Sequence, residues 1–170
     1  MTITITHAQP SDASELLDVL KIVGGETDNL TFGSEGLPVS VGDEEKYITS
    51  LVDSTSSAMF LAKADGKIVG SATFRTSDRA RLSHRAEMGI SILKEYWGQG
   101  IGHMLMDALI DFAKNVAHTE IISLEVNSEN VRAIHLYEKY GFEKIGHFKG
   151  FFKVDGKYLD CELMNLYLKE

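Results

Sequence analysis

The alternation of apolar and polar residues along the chain predicts seven strands. Residues 2–7 alternate β-branched and polar side chains, which is typical of a strand with one buried face. Six further runs of apolar or β-branched residues read as strands, at residues 58–63, 67–74, 86–93, 120–126, 143–153 and 157–168. Asp65-Gly66 and Asp155-Gly156 each join two of these runs, and an Asp-Gly pair in that position predicts a tight hairpin.

Four helices are expected between the strands. The first opens at residues 10–12, and Gly24-Gly25 is expected to end it. A segment without clear periodicity, 26–42, separates it from a second helix at about 43–53. The third covers 101–116 and carries an apolar stripe, and the fourth covers 128–140. Asn127 is expected to cap the start of the fourth helix and Gly141 its end. With no repeats or linkers, the order of elements predicts a single α+β domain over residues 1–170.

Composition excludes some classes of protein. The chain has 170 residues and a formal charge of −8, and a nucleic-acid binder would need a basic face instead. No apolar run is long enough to cross a membrane. Cys161 is the only cysteine, so no intramolecular disulfide can form, and a cytoplasmic location is expected. The negative charge is compatible with a cationic substrate.

A glycine-rich turn follows the fourth predicted strand. Gly98, Gly100 and Gly102 alternate just before the third helix, where a missing Cβ lets a ligand approach the backbone. The unpaired N–H groups and the dipole of a helix N-terminus favour an anion such as a pyrophosphate. The glycine spacing does not fit a Rossmann fingerprint, and His103 stands where a P-loop needs lysine. The alternative is a tight turn that binds nothing.

A second pattern lies on the fourth predicted helix. Asn130, Ala133 and Tyr137 share one face, and the small Ala133 leaves room for a chain-like ligand. Taken alone, Tyr137 could equally be a core residue with its hydroxyl at the rim.

Together, these two patterns resemble the GNAT superfamily of acetyl-CoA-dependent N-acetyltransferases. The motifs run from Glu87 to Phe142 and include Gly98-Gln99-Gly100-Ile101-Gly102 and the pair Gly141-Phe142. The resemblance implies a central, twisted, mixed and mostly antiparallel sheet of about seven strands with helices on both faces. It also implies a splayed strand pair, 88–93 and 121–126, that holds acetyl-CoA as co-substrate. One departure is Trp97, where the family usually has Arg or Gln.

The resemblance also implies which residues contact acetyl-CoA. The pantetheine arm is expected to bond the backbone of Ile90, Ser91 and Ile92, and Asn130, Ala133 and Tyr137 are expected to lie along it. The pyrophosphate is expected at Gly98, Gln99, Gly100, Ile101, Gly102 and His103. The six histidines lack the spacing of a metal site, so no metal is predicted.

Acetyl transfer to an amine requires a base and an acid. An alkylammonium with a pKa of about 10.4 must lose a proton before it attacks, and the leaving thiolate benefits from a nearby acid. Tyr137 is the candidate acid. Glu125 and Glu87 are the candidate bases, and a water chain without a dedicated base is the third option.

The predicted activity is direct acetyl transfer, in a ternary complex, to a primary amine of a small molecule such as a polyamine or an amino-acid-like amine. Residues 26–42 are expected to roof the site, where Glu26, Asp28 and Glu35 could pair with the ammonium. The alternative is that these three are ordinary solvated loop charges. The alternatives are acetylation of protein N-termini or lysines, or a non-catalytic acetyl-CoA-binding homologue. The sequence leaves open whether the protein forms a homodimer.

Overall fold

The computed structural model describes residues 1–168 and contains one seven-stranded sheet. The strands are β1 (Ile3–His7), β2 (Ala58–Ala64), β3 (Lys67–Thr76), β4 (Arg85–Ile92), β5 (Ile121–Asn127), β6 (Glu143–Val154) and β7 (Lys157–Tyr167). Their order across the sheet is β1-β2-β3-β4-β5-β7-β6. Within residues 1–168, β4 and β5 form the one parallel pair, and every other neighbouring pair is antiparallel. The predicted mixed, mostly antiparallel sheet is confirmed.

Helices cover both faces of this sheet, as predicted. They are α1 (Ala13–Glu26), α2 (Val41–Val52), α3 (Ile101–Asn115) and α4 (Val131–Lys139). On α3, the ring of Phe112 packs 6.2 Å from Phe60 of β2 and 5.5 Å from Phe74 of β3. The adjacent strand residues Met59 and Thr73 point to the opposite face because side chains alternate along a strand. That second face is covered by α1.

The two Asp-Gly turns form the predicted hairpins. Asp65 and Gly66 have φ values of 48° and 85°, and Asp155 and Gly156 have φ values of 50° and 78°. Two consecutive residues in the left-handed region define the turn that matches the twist of paired strands. β2 therefore leads directly into β3, and β6 directly into β7.

One predicted helix end is wrong. α1 continues through Gly24-Gly25 and ends at Glu26. A Cβ on Gly24 would overlap the carbonyl oxygen of Gly33, and a Cβ on Gly25 would lie 3.3 Å from that of Ser34. The glycine pair lets the loop after α1 pack closely against the helix, so it serves tertiary contact and does not end the helix.

The start of the fourth helix also differs from the prediction. α4 begins at Val131, and its cap is Asn130, whose Oδ1 accepts from the N–H of Ala133 at 3.3 Å. Asn127 closes a turn just before the helix, with Oδ1 accepting from the N–H of Glu129 at 2.9 Å. The predicted Asn127 cap is therefore wrong, because the chain makes one more turn before the helix starts.

Gly141 ends α4 as predicted. Its φ is 96°, and the N–H of Phe142 donates to the carbonyl oxygen of Tyr137 at 3.1 Å. The rings of Tyr137 and Phe142 pack 5.8 Å apart, the apolar contact that accompanies this type of helix end. Across residues 1–168, every helix falls short of the length and apolar character that a membrane span requires.

Candidate active site

β4 and β5 pair only at their N-terminal ends and then separate. The register runs from Arg85 opposite Ile121 to Glu87 opposite Ser123, and the rest of β4 and β5 share no pair in the described chain. Beyond this point β4 stays paired with β3, and β5 stays paired with β7. The result is a wedge-shaped gap between the two strands, which confirms the predicted splay.

Backbone groups of β4 point into the gap. The N–H of Leu93 donates to Val69 on β3 at 2.9 Å, and hydrogen bonds of an antiparallel pair alternate along the strand. Ser91 therefore turns its backbone toward β3, whereas Ile90 and Ile92 turn theirs toward the gap. The carbonyl oxygen of Ile92 accepts from Trp97 Nε1 at 2.9 Å. Of the three residues predicted to bond the pantetheine arm, Ile90 and Ile92 have N–H groups oriented to do so.

The three glycines of the turn serve two different purposes. Gly98 and Gly100 have φ values of 74° and 82°, and Gly100 is the N-cap of α3. A Cβ on Gly100 would meet no atom within 4 Å, so it would project into open space. A Cβ on Gly102 would lie 3.0 Å from the side chain of Leu136, so the third glycine lets α3 and α4 approach. We refer to residues 98–103 as the cradle.

Arg132 brings a positive charge to the cradle. Its guanidinium lies 5.1 Å from the centroid of the Trp97 ring, a cation–π arrangement, and its Nη2 lies 4.0 Å from a Cβ built on Gly98. The sequence pattern singled out Trp97 as a departure from the family but not Arg132. Arg132 lies in the first turn of α4, two residues after Asn130, and this basic residue beside the motif was the available signal.

A single cavity of about 1030 Å³ connects the gap with the cradle. The predicted residues that line it are Glu87, Ile90, Ser91, Ile92, Gly98, Gly100, Ile101, Gly102, His103, Glu125, Asn130, Ala133 and Tyr137. Gln99 does not line it, and its side-chain amide donates to the carbonyl oxygen of Glu95 at 3.2 Å. The fold thus collects the two sequence motifs on one surface.

The Tyr137 hydroxyl opens into this cavity. The side chain is 7% exposed, and its hydroxyl has no hydrogen-bond partner in residues 1–168. Within the same residues, every fully enclosed polar side-chain atom has a partner, so an unpaired hydroxyl must touch the cavity space. Burial raises the pKa of Tyr137 to about 12. The phenol therefore stays protonated at neutral pH and can act as a donor.

The two candidate bases differ in their surroundings. Glu87 is the last residue of β4 that pairs with β5, and its carboxylate lies 3.9 Å from Arg75 in an exposed ion pair. Glu125 lies two residues after Ser123 on β5, so it faces Gly89 across the open part of the gap. Glu125 forms no ion pair with the residues described. Both side chains line the cavity.

The segment between α1 and α2 forms one wall of the cavity, but with neutral residues. Those that line it are Thr27, Asn29, Leu30, Thr31, Phe32 and Leu37. Glu26 instead accepts from the backbone N–H of Lys94 at 2.8 Å, and Glu35 accepts from Gly33 at 2.9 Å. Of the two alternatives for Glu26, Asp28 and Glu35, the structure favours ordinary loop charges, because none of the three lines the cavity.

The chain belongs to the GNAT acetyltransferase family. Its residues 29–142 match the model of the Acetyltransferase (GNAT) family, which confirms the resemblance inferred from the glycine and Asn-Ala-Tyr motifs. Membership defines the protein as an acyltransferase. The matched region begins in the segment after α1, well before the motifs.

Curated relatives include N-acetyltransferases of several kinds. The chain is 33% identical to L-amino acid N-acetyltransferase AaaT of Escherichia coli (strain K12), over 67% of this chain and 70% of the relative. It is 29% identical to spermidine N(1)-acetyltransferase of Vibrio cholerae, over 71% and 69% respectively. It is 36% identical to an N-alpha-acetyltransferase of Saccharolobus solfataricus, over 63% and 67%.

Solved structures have the same fold. An acetyltransferase of the GNAT family from Streptococcus pneumoniae superposes with a TM-score of 0.94 at 30% identity, covering 98% of this chain and 100% of that one. The yncA protein of Salmonella typhimurium, solved with its cofactor acetyl-CoA, superposes with a TM-score of 0.86 at 19% identity, covering 100% and 96%. The second likeness concerns the fold alone.

Proposed function

We propose that this protein transfers the acetyl group of acetyl-CoA directly to a primary amine of a small molecule. The main observation that supports this proposal is the cavity. It joins the cradle, a gap lined by backbone groups, a protonated phenol and two carboxylates. Direct transfer in a ternary complex needs these groups around one space. A structural or sensing homologue would need only the cradle and the gap.

The cavity fits acetyl-CoA at both ends of the molecule. The cradle presents the N-terminus of α3 and the guanidinium of Arg132 to a pyrophosphate. Beyond Glu87, β4 has no partner on its β5 side, so the pantetheine arm can take the place of a strand there and accept from the N–H of Ile92. The gap then directs the thioester toward Glu125 and Tyr137.

The chemistry divides among three groups of this chain. We assign Glu125 as the base that takes the proton of the acceptor ammonium, directly or through a water, because it faces the open gap. The N–H of Ile90, the gap-facing amide next to Gly89 and therefore nearer Glu125, is placed to donate to the oxyanion that develops on the thioester carbonyl. The Tyr137 hydroxyl donates a hydrogen bond to the departing sulfur. A phenol with a pKa of about 12 favours donation over full proton transfer to a thiolate.

A small acceptor is supported by the wall that residues 27–37 build over the cavity. Relatives that act on free L-amino acids and on spermidine also support a small acceptor. Because one relative is an N-alpha-acetyltransferase, acetylation of protein N-termini is the alternative function. We also propose a cytoplasmic site of action, which the single cysteine, buried as a free thiol, supports.

The test is release of coenzyme A thiol from acetyl-CoA with a panel of amines, amino acids and short peptides. Tyr137→Phe should lower kcat by about 10²-fold or more, the usual loss when a hydrogen-bond donor to a developing charge is removed. Binding of acetyl-CoA, measured by calorimetry, should change little because only the hydroxyl is removed.

Tyr158→Phe is the matched control. Its side chain is exposed and lies outside the cavity, so the same deletion should leave kcat unchanged. Equal turnover by Tyr137→Phe and the wild type would reduce Tyr137 to a packing residue. Turnover with peptides but not with small amines would indicate that the acceptor is a protein.

A further inference from the structure

Glu44 is a buried carboxylate at the wall of the cavity. It lies in the first turn of α2, between Asp43 and Glu45. Both neighbours are exposed, whereas Glu44 is 6% exposed and lines the cavity. The helix therefore turns one of three successive acidic side chains inward.

The Glu44 carboxylate has no hydrogen-bond or ion-pair partner in the described chain, although it acts electrostatically on Tyr47, about one turn further along α2. Within residues 1–168 it accepts no hydrogen bond and forms no ion pair, and burial raises its pKa. Its oxygens must open onto the cavity, because every fully enclosed polar side-chain atom of those residues is paired. Arg75 lines the same cavity, but its guanidinium lies 3.9 Å from Glu87. A buried, unpaired carboxylate is costly, and a cation bound in the cavity would remove the cost.

Glu44 stands away from the reaction centre. Its helix α2 packs against α1 and β2, whereas the reacting groups lie at the gap between β4 and β5. Met59 of β2, Thr73 of β3 and Gly89 of β4 are register neighbours that line the floor between these two places. Strands are about 4.8 Å apart, so the floor alone extends about 10 Å from β2 to β4.

We infer that Glu44 binds a second ammonium group of the acceptor, distal to the amine that is acetylated, so that the preferred acceptor is a diamine or polyamine. This inference rests on the proposed function and names its substrate class. An acceptor that ends in a carboxylate at this position would face Glu44 with a like charge. An acceptor with a single amine would leave Glu44 unpaired.

The experiment compares kcat/KM for 1,8-diaminooctane, which is long enough to cross the floor, and for spermidine, n-butylamine and L-methionine. The wild type should prefer the two polyvalent amines over n-butylamine and L-methionine. Glu44→Gln should lower kcat/KM for the polyvalent amines by about 10- to 100-fold, the usual value of a hydrogen bond to a charged group. Its kcat/KM for n-butylamine should change less than about threefold, since that amine cannot reach both groups.

Glu45→Gln is the matched control, because it removes the same charge from an exposed neighbour. It should leave all four values unchanged, which separates a specific contact from steering by net charge. Glu44→Gln should also unfold at an equal or higher temperature than the wild type, because it removes a buried unpaired charge. If the variant did not fold, the preference of the wild type for diamines over n-butylamine would still test the inference.

Two outcomes would overturn the inference while leaving the proposed function intact. One is a wild type that prefers L-methionine or does not distinguish one ammonium from two. The other is an equal loss for n-butylamine and the diamine in Glu44→Gln. Failure of the proposed function looks different, because the wild type would then release no thiol with any amine in the panel.

Discussion

At the scale of single residues, the cradle depends on backbone conformations that side chains rarely adopt. Gly98 and Gly100 both have positive φ, and together they bring the chain from the short turn at 94–96 into α3. The open space beside Gly100 is the space that a pyrophosphate would need. A side chain there would compete with the ligand as well as strain the turn.

Gly100→Asp should therefore weaken acetyl-CoA binding at least tenfold. The added carboxylate would repel the pyrophosphate, while the strain itself is only about 1–2 kcal/mol for a residue in the left-handed region. Calorimetry with acetyl-CoA measures the affinity. Gly66→Asp is the control, because Gly66 has a similar φ of 85° and equally open space in the distant β2–β3 turn. Unchanged affinity in a folded Gly100→Asp protein would exclude the cradle as the pyrophosphate site.

Glu125→Gln should reduce kcat/KM most strongly at low pH. Below the pKa of the acceptor, about 10.4 for an alkylamine, the base must remove a proton, whereas at high pH the amine is already free. The rate of the variant should therefore approach that of the wild type as the pH rises. Comparing the pH dependence of kcat/KM for Glu125→Gln and Glu87→Gln shows which of the two carboxylates is the base. Recovery at high pH in Glu87→Gln alone would make Glu87 the base.

Sequence patterns could identify the residues that a motif requires, but not those that packing selects. The glycines, Asn130 and Tyr137 occur at characteristic spacings, so they were predictable. Glu44 sits in a run of acidic residues that are alike in sequence. Only the packing of α2 on α1 decides which of them is buried, and that is a tertiary property. The acidic residues predicted in its place, such as Glu26, are held by backbone N–H groups.

At the scale of elements, the β6–β7 hairpin is closed by a charged clip. The ring nitrogens of His147 lie 2.8 Å from Glu162 and 2.9 Å from Asp160. The hydrogen bond to Glu162, and next the one to Asp160, raises the pKa of His147 above its ordinary 6.5. The pKa of Asp160 is lowered, first by the N–H of Gly150 and then by His147, and His147 lowers that of Glu162.

The clip should stabilise the fold over a limited pH window. The histidine contribution is complete below pH 6.5 and is lost as the pH rises through the raised pKa. The contribution of Asp160 to stability is fully present above pH 3.8 and that of Glu162 above pH 4.5. Both are lost as the pH falls through the lowered pKa of each group. The stabilisation is therefore greatest between about pH 4.5 and 6.5.

His147→Gln should lower the melting temperature within that window and have less effect at higher pH. Thermal unfolding followed across the range in which histidine titrates measures the difference. His84→Gln, an exposed histidine in the turn before β4, is the control and should show no such dependence. A His147→Gln difference that did not vary with pH would show that the clip acts by packing and not by charge.

The elements themselves were largely predictable, because local chemistry determines them. Asp-Gly pairs set both hairpins, and Gly141 set the end of α4. The end of α1 was mispredicted because Gly24-Gly25 has a tertiary role, in contact with the loop at Gly33, which local sequence does not reveal. The sequence between β5 and α4 offers two asparagines as caps, and the choice of Asn130 depends on the turn that Asn127 closes.

At the scale of the whole molecule, the sheet consists of two parts. β1 to β4 form one antiparallel part, and β5, β7 and β6 form the other. Three register pairs between β4 and β5 connect them directly, and α3 packs on the first part. The splay and the mixed sheet could be predicted only through the resemblance to the family, because periodicity identifies strands but not their neighbours.

The two parts are also separate along the chain, since the first uses residues 3–92 and the second residues 121–167. Apart from the three β4–β5 pairs, the strand pairing of the described residues therefore lies within one part or the other. The cavity belongs to neither part alone, because β4 supplies one wall of the gap and β5 the other. Affinity for acetyl-CoA is thus a measure of how accurately the two parts of the sheet are docked on each other, rather than of the structure of either one.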